Sequence, residues 1–288
     1  GIPPFLELPG DKSRPAEQDF SGATIHFRIT KHELDGIRQL GGDKGTTLFM
    51  TLLAAFVVLI YRYSGATDFA VGTPVANRSR AEFESILGLF VNTVVLRNEL
   101  DGNPSFDELL NQVRTTVLEA FEHQDLPFEQ VVDAVGAERS RAASPLFQVL
   151  FTLQNAPIGR IQIPGLEWTP YPVEAGTSKF DISLALREEG DELHGQLEYR
   201  TDLFESESIA KMAEHYRQLL RILPSHLEQP ISSVSLLEDA DRQLLDEWAV
   251  GANVGQSSED KLAGDKGRQV ATDADTIHGI FTAQAVRT

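Results

Sequence analysis

Apolar and polar residues alternate cleanly over residues 24–30, with Ile25, Phe27 and Ile29 on one face, the period of a half-exposed strand. Residues 31–40 switch to helical spacing, and the Gly41-Gly42 pair is expected to end that helix. Thr46 or Thr47 can cap the next helix, which runs to about Tyr63 and is apolar almost all round. Such a helix belongs in a core. Its most apolar run, residues 48–61, is too short to span about 30 Å of hydrocarbon. Residues 68–75 read as a strand, followed by the turn-forming Asn77-Arg78-Ser79.

Residues 86–97 are β-rich and apolar on both sides, so they are expected to form a strand buried on both faces. Asn92 and Thr93 interrupt that apolarity. A buried amide left without partners costs about 1–3 kcal/mol, so Asn92 is either a satisfied structural amide or a residue held for use.

Ser105 with Glu108 forms a capping box, and Phe106, Leu109, Leu110, Val113, Val117 and Phe121 make the stripe of an amphipathic helix. Pro127 suits the first turn of a short helix reaching about Val135. Residues 146–153 are a buried-strand candidate. Alternation through Phe180–Leu186 and Leu193–Tyr199, around Glu189-Gly190-Asp191, predicts a β-hairpin. A helix capped by Ser206 and stopped by Pro224 follows. Strands and helices interleave, which predicts a layered α/β unit with a mixed β-sheet flanked by helices.

Composition narrows the function. The 288 residues carry 43 acids against 25 bases, a formal charge of −18, so nucleic acid and anionic membrane are disfavoured partners. There is no cysteine, which removes disulfides, thiolate nucleophiles and Cys-ligated metals and fits a cytoplasmic protein. No secretory signal is visible at Gly1-Ile2-Pro3-Pro4, and the opening reads as cut from a longer chain. The seven histidines lie outside helical ligand spacing, so no metal site is expected. Signatures of nucleophile elbows, P-loops, dinucleotide folds and zinc proteases are absent. His123, in Glu122-His123-Gln124-Asp125, is the best acid–base candidate, although a histidine ending a helix also complements its dipole. Asp181 either pairs with Lys179 or sits at the edge of a cleft.

Four segments, in order, resemble a known family. They are residues 68–78, DFAVGTPVANR; residues 88–93, GLFVNT, with Arg97; residues 123–129, HQDLPFE; and Arg141 with residues 144–149, SPLFQV. Together they are similar to the later motifs of condensation domains of nonribosomal peptide synthetases. The resemblance implies an α/β chloramphenicol-acetyltransferase-like lobe, the C-terminal half of a two-lobed domain around a tunnel. It implies carrier-protein partners whose phosphopantetheine arms bring thioesters to the tunnel, with no cofactor bound directly, and an adenylation domain as neighbour. On this reading residues 1–22 are an extended connector from an N-terminal lobe, and residues 23–230 are the lobe. Residues 231–275 are the linker, and residues 276–288 start an adenylation domain.

Phe90, Asn92, Thr93, Ser178 and Asp181 are then expected to line the tunnel. Asp68, Arg78, Arg97, His123, Asp125, Pro127, Phe128, Arg141, Pro145 and Phe147 are motif residues expected to hold the lobe together. Arg80 and Arg139, with Arg78 and Arg141, are the candidates for a basic patch that docks an acidic carrier. The family's His-His-x-x-x-Asp-Gly motif belongs to the N-terminal lobe, and this sequence contains no adjacent histidine pair. The chain is therefore expected to lack the catalytic histidine; the alternative reading is a non-catalytic module that binds a carrier protein or another partner.

Overall fold

The computed structural model describes residues 5–78, 80–137, 140–154 and 175–237. The chain divides into two compact units, Gly1–Leu236 and Leu237–Thr288, and of the second only Leu237 is described. Ordered elements run β1 (Gly22–Ile29), α1 (Lys31–Lys44), α2 (Leu48–Ser64), β2 (Asp68–Val75), α3 (Ala81–Glu84), β3 (Asn92–Glu99), α4 (Phe106–Glu122) and α5 (Phe128–Val135). They continue with β4 (Val149–Gln154), β5 (Ile182–Glu189), β6 (Glu192–Arg200) and α6 (Ser206–Ile222).

Six strands form one mixed sheet in the order β1-β6-β5-β4-β2-β3. The β2–β4 and β4–β5 pairs are parallel and the others antiparallel. Strand direction gives the sheet two distinct ends. Val75 pairs with Asn92 at one end, while Asp68 pairs with Glu99 and Gly22 with Arg200 at the other. Strand β2, of eight residues, sets its two ends about 23 Å apart at the rise of an extended chain.

One face of the sheet is packed by α1, α2, α4 and α6, and α2 is buried along Met50–Ile60. The opposite face carries a smaller cluster of Ala70, Val132, Leu146 and Phe147, against which Phe128 and Phe180 pack. Its centre is an aromatic ring on a bare backbone: a Cβ at Gly72 would meet Phe147 at 2.2 Å. Phe147 stacks on Phe180 and meets Phe128 edge-on, at centroid distances of 5.2 and 5.5 Å. Pro74 lies on β2 beyond its two pairs with β4, so its missing N–H breaks no ladder there.

Several expectations change. Helix α1 does not stop at Gly41-Gly42 but continues to Lys44 and ends at Gly45, at φ 65°. Gly41 is there for close approach: a Cβ would sit 3.0 Å from the Thr46 carbonyl oxygen. The strand expected over 146–153 occupies 149–154. Residues 86–97 are not a strand buried on both faces. The strand begins at Asn92, is an edge paired only with β2, and alternates in burial. Ser206 is not the cap of α6; Glu205 occupies that position without a capping side chain. The carboxylate comes instead from Asp11, which accepts from the Glu205 N–H at 2.8 Å and the Ser208 hydroxyl at 2.7 Å.

Candidate functional site

The expected tunnel residues lie at both ends of the sheet. At the end where β2 stops, Phe90, Asn92 and Thr93 follow a loop built on Arg78. Its guanidinium donates to the carbonyls of Phe83, Ile86 (3.0 Å) and Gly88 (3.3 Å), and covers the Phe90 ring at 4.2 Å. Phe90 stacks on Phe83 at 5.7 Å, and Arg80 lies 5.9 Å from the Phe83 ring. The held loop turns its aliphatic side chains outward, with Leu87 and Leu89 99% and 91% exposed and Ile86 and Val91 about half exposed. Apolar residues presented together on an anchored loop are the mark of a surface meant to be covered.

Asn92 joins that loop to the turn after α4. Its amide N–H groups donate to the carbonyls of Gln124 (2.8 Å) and Leu126 (2.7 Å), and its oxygen accepts the Phe128 N–H at 3.2 Å. Three of the four hydrogen bonds an asparagine can make are thereby given to backbone. Thr93 pairs with Pro74. His123 is the C-cap of α4, Asp125 lies in the clamped turn, and Pro127 is the N-cap of α5 rather than a residue of its first turn. Leu126, at the tip of the turn, is 47% exposed.

At the other end Ser178 and Asp181 are 1% and 2% exposed. Asp181 does not pair with Lys179. Its carboxylate receives both terminal nitrogens of Arg14, one at 3.0 Å, and lies 3.4 Å from Arg200. Arg200, fully buried, also binds Asp202 twice, at 2.9 and 2.5 Å, and the Ala142 carbonyl at 2.9 Å. Two arginines and two aspartates thus neutralise one another in a charge lock, with all three guanidinium nitrogens of Arg200 directed to acceptors.

The lock fastens the N-terminal strap. Leu6 and Leu8 are buried, the Leu6 N–H donates to Gln148 at 2.6 Å, and Lys12 reaches the Thr201 carbonyl at 2.8 Å. Ser178 donates its hydroxyl to the Phe180 carbonyl at 2.7 Å. Burial pushes the carboxyl of Glu198, beside Ser178 and Lys179, above its ordinary value. The strap's role was not visible in the sequence, although Arg200 directly after the buried Leu197 and Tyr199 positions of the hairpin was a signal that a buried cation needed an acid.

Arg97 grips Asp68 with two parallel hydrogen bonds of 2.9 and 2.8 Å, holding that carboxyl below the usual range. Pro145 precedes Leu146, a non-glycine residue at φ 68°, and together they turn the chain so that Phe147 reaches Gly72. The four arginines expected to dock a carrier do not form one patch. Arg78 and Arg80 follow β2, whereas Arg141 lies beside the strap at the opposite end, where its carbonyl accepts from the Gln18 N–H at 3.0 Å. Arg139 lies outside the described residues, as do most of the expected linker and the whole expected adenylation start. Among the described residues no three His, Asp or Glu side chains converge as metal ligands, and no single helix is long and apolar enough to cross a membrane.

The chain and its fold are matched by known proteins. The family described as the condensation domain matches residues 2–245. A component of the linear gramicidin synthase of Brevibacillus parabrevis is 45% identical over 251 residues, covering 86% of this chain and 3% of that protein. Surfactin synthase subunit 1 of Bacillus subtilis (strain 168) is 36% identical over 286 residues, 99% of this chain and 8% of that one. Among solved structures, a four-domain nonribosomal peptide synthetase in its holo form, bound to AMP and glycine, aligns with a TM-score of 0.77 at 28% identity. That alignment covers 84% of this chain and 20% of the synthetase. The X-domain from teicoplanin biosynthesis gives a TM-score of 0.77 at 25% identity, over 82% of this chain and 54% of that one.

The chain therefore belongs to the condensation-domain family of nonribosomal peptide synthetases and has the chloramphenicol-acetyltransferase-like fold. It spans a few per cent of the curated relatives' length and about half of the solved X-domain.

Proposed function

We propose that this chain is the C-terminal lobe of a condensation domain that, in the intact cytoplasmic enzyme, forms amide bonds between carrier-bound aminoacyl or peptidyl thioesters. Residues 231–275 are the linker to an adenylation domain that starts near residue 276. The observation that carries the reading is the pairing of half-length coverage with the anchored, outward-facing loop at residues 86–91. A lobe that presents Leu87 and Leu89 to water is built to meet another body, and the match to the solved X-domain accounts for 54% of that chain.

In the assembled domain Phe90, Asn92 and Thr93 form part of the tunnel wall. Asn92 acts by fixing the 124–128 turn, because most of its hydrogen-bonding capacity is already committed there. Carrier proteins bring the phosphopantetheine-linked substrates, and the other lobe supplies the histidine that positions or deprotonates the attacking amine. Alone, the chain is catalytically silent. Incubation with two carrier-bound aminoacyl thioesters tests this: the expected result is no amide product, and turnover without an added N-terminal lobe refutes the assignment. Binding of a carrier by this chain in a system where an added N-terminal lobe restores no activity favours the non-catalytic binding module instead.

A further inference from the structure

The exposed apolar residues of the 86–91 loop continue, across the Asn92 hydrogen bonds, to the turn after α4. Leu126, whose carbonyl Asn92 holds at 2.7 Å, is about half exposed, as is Val135 at the end of α5. What borders them is acid. Residues 115–137 hold Glu119, Glu122, Asp125, Glu129 and Asp133 and no lysine or arginine. All five are exposed, and the first four meet no cation among the described residues. The β5–β6 hairpin shows the alternative, with Glu188 meeting Arg38 at 3.1 Å and Asp191 meeting Lys31 at 3.3 Å. Of the two arginines that follow β2, Arg78 is spent on loop carbonyls and Arg80 lies 5.9 Å from the Phe83 ring.

The acids also stand against their own helix. Glu119 and Glu122 close α4, where the last carbonyls already carry partial negative charge, and the last turn of α4 holds no base. Helix α5 likewise ends without one. Unmatched negative charge, kept where a helix end disfavours it and beside apolar side chains left to solvent, calls for a cationic partner.

We propose that the 86–91 loop and Leu126 are covered by an apolar patch of the N-terminal lobe, rimmed by lysine or arginine side chains that face Glu119, Glu122 and Glu129. The proposal rests on the assignment of the chain as a condensation lobe and adds the chemistry that selects what covers it. Charge decides between the two partners which that assignment brings. An acidic carrier protein is repelled by the unmatched carboxylates, whereas a basic rim is drawn to them. The belt therefore steers the other lobe onto this end and keeps carriers off it. Apolar contact holds the pair together, and the rim sets its rate and selectivity.

The test follows association of the 288-residue chain with a separately supplied N-terminal lobe of a condensation domain, by stopped flow. Salt is raised from low concentration to about 1 M, where charges are screened beyond about 3 Å. At low salt, Glu119→Gln combined with Glu122→Gln and Glu129→Gln is expected to slow association about tenfold, with dissociation nearly unchanged. At high salt the parent and the variant converge. All three side chains are exposed, so the variant keeps the fold. A variant that associates as fast as the parent at low salt overturns the proposal, and so does a parent rate indifferent to salt. A carrier protein that associates faster with the parent than with the variant overturns it too. Each of these leaves the lobe assignment standing, whereas a parent that meets the N-terminal lobe at no salt concentration refutes the assignment and the proposal together.

Discussion

The two ends of the sheet solve opposite problems. Where β5 begins and β6 ends, charge is buried and fully matched: Arg14, Asp181, Arg200 and Asp202 close on one another and tie the strap to the lobe. Where β2 ends and β3 begins, cation and amide are used on backbone instead, and the apolar side chains are turned outward. The first arrangement stabilises this chain by itself. The second spends the hydrogen-bonding capacity of Arg78 on a loop whose aliphatic side chains stay outside the lobe's own core, and that of Asn92 on the turn leading to Phe128. Order without burial is what a surface prepared for a partner requires, because the ordering entropy is lost before association rather than during it.

This contrast sets the size of the expected effects. Asp181→Ala leaves Arg200 fully buried and short of an acid and is expected to cost about 3–5 kcal/mol, read from the urea midpoint. A loss below about 1 kcal/mol would mean the lock is not structural. Asn92→Ala frees two carbonyls and one N–H of the turn and is expected to cost about 1–3 kcal/mol. Its distinguishing signature is faster amide exchange over residues 124–128, with the strap unchanged.

Glu198 sharpens the picture within the locked end. Burial raises its carboxyl, so the folded state favours the proton, and this contribution to stability is present below the ordinary carboxylate value and lost as pH rises through the raised one. Glu198→Gln is therefore expected to gain stability relative to the parent as pH rises through that window, with a constant difference above it. A pH-independent difference contradicts the burial argument. The smallest effect is expected at the opposite end. Leu87→Ser with Leu89→Ser changes stability by at most about 0.5 kcal/mol, because neither side chain is buried, while abolishing association with an N-terminal lobe in a pull-down.

The same contrast explains what the sequence revealed. Periodicity located α4 and the β5–β6 hairpin because each buries one regular face, and the Ser105–Glu108 box fixed the start of α4 through two local hydrogen bonds. Residues 86–91 misled because apolarity reports a demand for burial without saying what meets it. A strand core and an exposed apolar loop read alike in Ile86, Leu87 and Leu89. The Asp181 lock was hidden for another reason. Its partners, Arg14 and Arg200, are 167 and 19 residues away along the chain, and Lys179 was merely the nearest cation in sequence. Asn92 lay between these cases: a polar residue in an apolar run announced a constraint, but only the fold shows that the constraint is the 124–128 turn.

The most direct measurement is hydrogen exchange of this chain with and without a separately supplied N-terminal lobe of a condensation domain. The account predicts that protection on mixing concentrates in residues 86–91 and 124–128, while residues 11–14 and 181–182, already tied by the lock, change little. Protection confined to the strap, with residues 86–91 exchanging as before, would contradict it.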